Sequence, residues 1–317
     1  MKKVFLTEPI HQEGINLLKK EVDVIIGSST ASEAIIREAA GCQGIIIRSA
    51  KITGEIIKSL PKLKVIAKHG IGVDNIDLNT ASEIGVMVVN APEANIHSVA
   101  EHALGMILAV TKNFVQLDQE TRKGNFHLRN KIIGTEIMGK TVGLVGMGKI
   151  GLLLAQKLGG LGVKLIGYDP YANPDTVRKH EIALVETLDE LLANSDIITI
   201  HTPLTDTTKG MISEEQFNKM KNNAYLINVS RGSIVDEQAL YQALKTGQIR
   251  GAALDVFEEE PPAKDNPLFT LDNILVSPHN AALTEDALIA MAVHAAQGVL
   301  DYINGKRPKY VVNPQIF

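Results

Sequence analysis

Three side chains stand just past short apolar runs in the C-terminal half of the chain: Arg231 in Asn228-Val229-Ser230-Arg231-Gly232, Glu260 in Glu258-Glu259-Glu260-Pro261, and His279 in Ser277-Pro278-His279. An arginine there is a permanent cation that can hold a carboxylate and an adjacent carbonyl oxygen. A histidine titrates near neutrality and so can give or take a proton at that oxygen. A glutamate beside it orients the ring and favours the imidazolium. Taken singly, each has an ordinary explanation, a salt-bridged arginine at a strand end or a histidine satisfied in a structural role. Taken together, they fit proton transfer on a small anionic molecule.

A second group explains what that proton transfer accompanies. Gly146-Met147-Gly148-Lys149-Ile150-Gly151 follows the apolar run Thr141-Val142-Gly143-Leu144-Val145 and precedes the helical run Leu152 to Leu161. That is the context of a dinucleotide fingerprint: a tight turn at Gly146, close approach of a pyrophosphate at Gly148, and close helix-to-strand packing at Gly151. The helix N-terminus adds amide donors and a partial positive charge. Asp169 follows 18 residues after Gly151, at the end of the next apolar run. A carboxylate at that spacing accepts from a ribose 2′-hydroxyl and repels a 2′-phosphate. No arginine follows until Arg178, which favours NAD over NADP. A nicotinamide cofactor beside Arg231, Glu260 and His279 predicts hydride transfer between a 2-hydroxy acid and its 2-oxo acid.

The other histidines carry less. His11, His97, His102, His127, His180 and His294 lie in helical or loop runs with no partner pattern and read as structural or solvated. His201, in His201-Thr202-Pro203, ends an apolar run and is expected to shape the cofactor pocket. His69 precedes Gly70-Ile71-Gly72, where it could touch substrate.

These residues need elements to position them. Val4-Phe5-Leu6, Val22 to Ile26, Ile45-Ile46-Ile47, Val65-Ile66-Ala67 and Val86 to Val89 read as strands. The segments between them, such as Glu13 to Lys20 and Ala31 to Ala40, carry helical spacing. Ser98-Val99-Ala100-Glu101 reads as a capping box opening a helix to Lys112, apolar almost all round and so expected to be buried on every side. A second series of strands begins at Thr141, with a domain boundary expected before it, and continues through Leu165-Ile166-Gly167, Ile197 to Ile200, Tyr225 to Val229, Ala252 to Val256 and Ile274 to Val276. Thr187/Glu190 and Ser213/Gln216 mark helix starts between them, and a last helix over Glu285 to Asn304 is expected to return to the first domain. The pattern is α/β: two doubly wound parallel-sheet domains with ligands at the cleft where they meet.

Composition narrows the partners. Among 317 residues the apolar share is 45%, charged residues make up 21% and the net charge is −4, with no basic run, so neither nucleic acid nor an anionic membrane is expected. No apolar stretch reaches the ~18 residues that span a bilayer. The opening Met1 to Ile10 has no signal-peptide core. One cysteine, Cys42, excludes an intrachain disulfide framework and a cysteine-based zinc cluster, and a cytoplasmic location with no metal is expected.

The chain resembles the D-isomer-specific 2-hydroxyacid dehydrogenases, most of all the catalytic part of D-3-phosphoglycerate dehydrogenases. The likeness runs through Arg48-Ser49-Ala50, Gly70-Ile71-Gly72-Val73-Asp74-Asn75, Asn90-Ala91-Pro92, Val99-Ala100-Glu101, Gly139 to Gly143, Gly146 to Gly151, His201 to Leu204, Asn228 to Gly232, Asp255-Val256-Phe257, Glu258 to Pro262 and Pro278-His279. It implies a flavodoxin-like substrate domain from residues 1–97 plus 284–317, a Rossmann NAD domain from 98–283, and a homodimer built on the helix from Ser98. It implies that Arg231, Glu260 and His279 are catalytic. Lys149, Ile150, Asp169, Thr202, Pro203, Val229, Ser230 and Asp255 would stand with Gly146, Gly148 and Gly151 at NAD, Asp255 near the nicotinamide carboxamide. The substrate would meet Arg48, the amides of Ile71 and Gly72, Arg231 and His279, with Arg48 at a distal phosphate. That set makes 3-phosphoglycerate, the first step of serine biosynthesis, the leading substrate, with hydroxypyruvate or glyoxylate reduction as the alternative. Formate dehydrogenases pair the histidine with glutamine, which Glu260 argues against. An NAD-sensing corepressor is the non-enzymatic rival, disfavoured by the lack of extended tails. Asn280-Ala281-Ala282 departs from the glycine-containing turn of many relatives, which changes the packing expected beside the nicotinamide and bears on substrate choice. The end at Phe317 leaves no room for a regulatory domain, so serine feedback is not expected.

Overall fold

In the computed structural model of the chain, which describes residues 2–316, strands and helices alternate and divide into two compact units, Met1–Ile96 with Ala282–Phe317, and His97–Ala281. The first unit contains β1 (Lys3–Leu6), α1 (Gln12–Lys19), β2 (Asp23–Ile26), α2 (Ser32–Glu38), β3 (Gly44–Ile47), α3 (Gly54–Lys58), β4 (Val65–Lys68), α4 (Leu78–Glu83) and β5 (Met87–Val89). The second is opened by α5 (Ile96–Thr111) and α6 (Phe114–Arg122). It continues through β6 (Thr141–Val145), α7 (Lys149–Gly159), β7 (Lys164–Tyr168), α8 (Pro174–Lys179), β8 (Ala183–Leu184), α9 (Leu188–Asn194), β9 (Ile197–Ile200), α10 (Glu214–Lys219), β10 (Tyr225–Asn228), α11 (Glu237–Lys245), β11 (Gly251–Leu254) and β12 (Ile274–Val276). The closing helix α12 (Glu285–Ile303) rejoins the first unit.

Both sheets are parallel. The first runs β2-β1-β3-β4-β5 and the second β12-β11-β10-β9-β6-β7-β8, so each is wound in both directions from its first strand. A parallel sheet is covered on both faces, which is why its strands read as unbroken apolar runs. Along β1 and β3, Val4, Leu6 and Ile46 pack with Leu18 of α1 and with Ala292, Ala296 and Val299 of α12. Phe5, Ile45 and Ile47 point the other way, onto Ile35 of α2 and Ile56 and Ile57 of α3. In the second unit Val145, Ile198, Ile200, Leu226 and Leu254 share a core with Leu191, Phe217 and Leu240 of α9, α10 and α11. Cys42 is buried in the first unit, and burial pushes its thiol up. Among the described residues no helix is long and apolar enough to cross a membrane.

Local signals set several boundaries. Thr187 accepts from the Glu190 amide at 3.1 Å, and the Gln216 side chain accepts from the Ser213 amide at 3.2 Å. Two expectations give way. Ser98 is no cap: it lies inside α5, and its hydroxyl donates to the Ala281 carbonyl at 2.6 Å, while Glu101 accepts from Lys157. The boundary does not precede Thr141, because α5 and α6 belong to the second unit; Thr135, for example, is held by its amide to Thr111 O and by its hydroxyl against Tyr225. In the single chain α5 keeps an uncovered strip, where Glu101 and Gly105 are exposed with Leu104, Leu108 and Ala109 half-buried beside them.

Candidate active site

His279 stands three residues past β12 with a left-handed backbone, φ +50°. A residue with a Cβ is rarely found there without compensation. The compensation is the fully buried Asp255, just past β11. Its carbonyl accepts the His279 amide at 2.7 Å, and its carboxylate accepts the Asn280 and Ala281 amides at 3.0 and 2.9 Å and the Ser277 hydroxyl at 2.5 Å. Burial pushes the Asp255 carboxyl up, but hydrogen bonds from His102, Ser277, Ala281 and Asn280 outweigh it and hold the group below the usual carboxylate range.

The turn so fixed presents the imidazole to Glu260, with 2.6 Å between Nδ1 and Oε2 and side-chain exposures of 49% and 37%. Glu260 Oε1 accepts the Phe257 amide at 3.1 Å. Burial raises the Glu260 carboxyl, yet the hydrogen bonds from His279 and Phe257, with the charges of His279 and Arg231, hold it low. An ionised Glu260 requires a proton on Nδ1, which leaves Nε2 for exchange. Of the three consecutive glutamates, Glu258 has other work: its carboxylate accepts the Glu237 amide at 3.0 Å at the start of α11. Arg231 enters from β10, where buried Asn228 braces the turn by donating to the Arg231 carbonyl at 2.9 Å and accepting the Ser230 amide at 3.0 Å. The Arg231 guanidinium donates to Ser230 O at 2.7 Å and is near enough to Glu260 to act on its charge. Three strand ends thus supply a cation, a carboxylate and an imidazole in one unit.

The glycine turn lies at the end of β6 in that same unit. Gly146 has φ +101°, and a Cβ there would come within 2.8 Å of the His201 carbonyl; a Cβ on Gly151 would overlap Gly146 O. The N-terminus of α7 carries no side-chain cap, and space is open around Gly148. Asp169 accepts the Met147 and Tyr171 amides, each at 2.8 Å with a different oxygen, which holds the turn and leaves lone pairs for a ribose. Thr202 Oγ1 is buried without a partner, Ser230 Oγ donates to Thr202 O at 3.0 Å, and Pro203 O takes the Thr208 hydroxyl at 2.7 Å. Lys149 is exposed, Ile150 half-buried and Val229 buried. Uncapped amides, an unpartnered buried hydroxyl and a carboxylate at the first turn form the donor and acceptor set that a dinucleotide requires. In contrast, both Asp255 oxygens face the catalytic turn.

Arg48, Ile71 and Gly72 belong to the first unit. Arg48 follows β3; its amide donates to Glu8 at 3.2 Å, its guanidinium to Pro9 O at 3.1 Å, and its carbonyl accepts Lys68 Nζ at 2.5 Å. The loop after β4 is pinned by Asn90 donating to Ile71 O at 2.8 Å and by the Ala91 amide on Gly70 O. His69 is 6% exposed with Nε2 unpartnered, and burial, then Arg48, pushes its imidazole down to about 4. Sequence reasoning overlooked Asn228, Ser277 and His102. Asn228 and Ser277 were within motifs already singled out; His102 gave no signal, because its partners lie more than 150 positions away.

Comparison with known proteins gives the family. The profile of the D-isomer specific 2-hydroxyacid dehydrogenase NAD-binding domain matches residues 104–281. The chain belongs to the D-isomer-specific 2-hydroxyacid dehydrogenase family. It is 41% identical to a D-3-phosphoglycerate dehydrogenase of Methanocaldococcus jannaschii over 99% of this chain and 60% of that one. It is 38% identical to a glyoxylate reductase of Thermofilum pendens over 99% and 95% of the two chains. A crystal structure of a Thermus thermophilus protein, 30% identical, superposes with a TM-score of 0.90 over 98% of this chain and 99% of that one. The chain spans 50–60% of the length of the phosphoglycerate dehydrogenases it matches first.

Proposed function

We propose that this family member interconverts a D-2-hydroxy acid and its 2-oxo acid with NAD. The observation that carries the reading is the 2.6 Å contact between His279 and Glu260, beside Arg231. The His97–Ala281 unit binds NAD, with Gly146, Gly148, Lys149, Ile150 and Gly151 at the pyrophosphate, Asp169 at the ribose, and Thr202, Pro203, Val229 and Ser230 lining the remainder, while Asp255 braces the His279 turn. Bound NAD supplies a hydride acceptor or donor at the nicotinamide C4. Arg231 holds the substrate carboxylate and carbonyl oxygen and polarises the carbonyl. In reduction His279 Nε2 gives its proton to the forming alkoxide, and Glu260 stabilises the imidazolium at the opposite nitrogen. In oxidation the same nitrogen takes the hydroxyl proton.

The amides of Ile71 and Gly72 are assigned to the substrate carboxylate and Arg48 to an anionic group at the substrate's far end. Arg48 favours 3-phosphoglycerate and a place in serine biosynthesis. Glyoxylate or hydroxypyruvate reduction is the second reading, favoured by the end-to-end match to a glyoxylate reductase. Composition supports a cytoplasmic enzyme. A homodimer through α5 is supported by the exposed apolar side chains that follow it, Phe114, Val115, Phe126, Ile133 and Met138.

NADH oxidation against phosphohydroxypyruvate, hydroxypyruvate, glyoxylate, pyruvate and 2-oxoglutarate tests this, with His279→Ala and Arg48→Ala in parallel. His279→Ala is expected to lower kcat about 10²-fold or more with NADH affinity kept. A phosphohydroxypyruvate preference that collapses in Arg48→Ala supports the phosphoglycerate reading, and equal turnover of the small acids by both proteins supports the second. No turnover of any acid, with NADH changing only the oligomer size, would overturn the assignment in favour of a sensor.

A further inference from the structure

Helix α5 touches the catalytic turn twice, one helical turn apart. Ser98 Oγ donates to the Ala281 carbonyl at 2.6 Å, and His102 Nε2 lies 3.2 Å from Ser277 Oγ and 3.5 Å from Asp255 Oδ1. Residues four apart share a helix face, so one side of α5 meets both ends of the segment 277–281. The hydrogen-bond directions follow from chemistry. Asp255 is acceptor-only, so the Ser277 hydroxyl must donate to it. The remaining Ser277 lone pairs can only accept, so His102 must carry its proton on Nε2. The relay therefore runs from His102 to Ser277 to Asp255, and Asp255 in turn holds the Asn280 and Ala281 amides on its carboxylate and the His279 amide on its carbonyl.

We propose that His102 is a positioning residue for His279: by fixing the Ser277 rotor and the Asp255 carboxylate, it holds the left-handed turn that aims the imidazole. The inference rests on the reading of His279 as the acid/base. Displacement of a reacting group by about 1 Å costs on the order of 10²-fold in rate. A turn with an energetically unfavourable φ at its centre relaxes when its braces are removed.

The length of the side chain at position 102 separates positioning from mere packing. In glutamine the amide nitrogen reaches the place of Nε2; in asparagine, equally polar, it falls short. His102→Asn, His102→Gln and His279→Ala are assayed with NADH against phosphohydroxypyruvate and against glyoxylate, with kcat expressed per NADH-binding site counted by the enhancement of NADH fluorescence. His102→Asn is expected to lower kcat about ten-fold with KM and the NADH Kd within two-fold. His102→Gln is expected to recover kcat to within about three-fold of the parent. Ser277→Ala combined with His102→Asn should be no slower than the slower single variant, because both cut one relay. Unchanged kcat in His102→Asn, or equal losses in the Asn and Gln variants that follow their Tm, would overturn the proposal. Full activity in His279→Ala would instead overturn the reading beneath it.

Discussion

His69 carries more information than its place beside a glycine loop suggested. It is nearly buried at the end of β4, and burial first, then the Arg48 charge, pushes its imidazole from 6.5 down to about 4. The unfolded chain therefore binds a proton as pH falls through 6.5, whereas the folded chain declines it until about 4. Stability present above pH 6.5 is lost across that window and levels off below it. His69→Gln removes this titration, so the chemical-denaturation midpoint of the parent should fall relative to that of the variant between pH 6.5 and 4. A constant difference would show that His69 titrates as freely folded as unfolded. That Arg231, Glu260 and His279 come together was legible in sequence because they differ in chemistry and each follows an apolar run. What supports it was not. The donors to Asp255 are mostly backbone amides, which every sequence has, and the positive φ of His279 leaves no mark in residue type.

Strands were the most readable elements, since burial on both faces makes each a short β-branched run; Ile197–Ile200 and Ile274–Val276 carry the expected bounds. The two-residue β8, with both residues exposed, has no such run, and the short α3 and α4 are too brief to show a period. Packing between helices is hidden in sequence for a different reason, since it depends on which small residue meets which. Gly14 of α1 lies against α12, where a Cβ would sit 2.7 Å from the Ala292 carbonyl oxygen. Helix propensity alone makes glycine the worse residue by about 1 kcal/mol, so a simple rule would replace it. Here the clash with backbone wins, and Gly14→Val should destabilise by about 1–3 kcal/mol in urea unfolding. Gly159, at the end of α7 with nothing within 4 Å of a Cβ, is the control: Gly159→Ala should leave stability equal or improved. A neutral Gly14→Val would mean that α1 and α12 can move apart without loss.

At the scale of the molecule, the expected boundary before Thr141 failed because α5 and α6 look like a continuation of the first series, while the partners of this stretch, Ala281 and Ser277 for α5 and Tyr225 for Thr135 beyond α6, lie far along the chain. Periodicity reports what a segment is, not what it packs on. The bond from Ser98 to Ala281 has one more consequence. Those two residues lie beside the points where the polypeptide enters and leaves the His97–Ala281 unit. A unit whose ends are joined to each other is a closed excursion of the chain, and such excursions tolerate being cut out or transplanted. Residues 97–281 expressed alone should unfold in one cooperative transition and bind NADH within about ten-fold of the whole chain, a loss of about 1.4 kcal/mol. A fragment that melts without cooperativity would tie its folding to the rest of the sequence. A fragment that passes would be a portable nicotinamide-binding cassette, ready to be spliced into a host that selects a different acid.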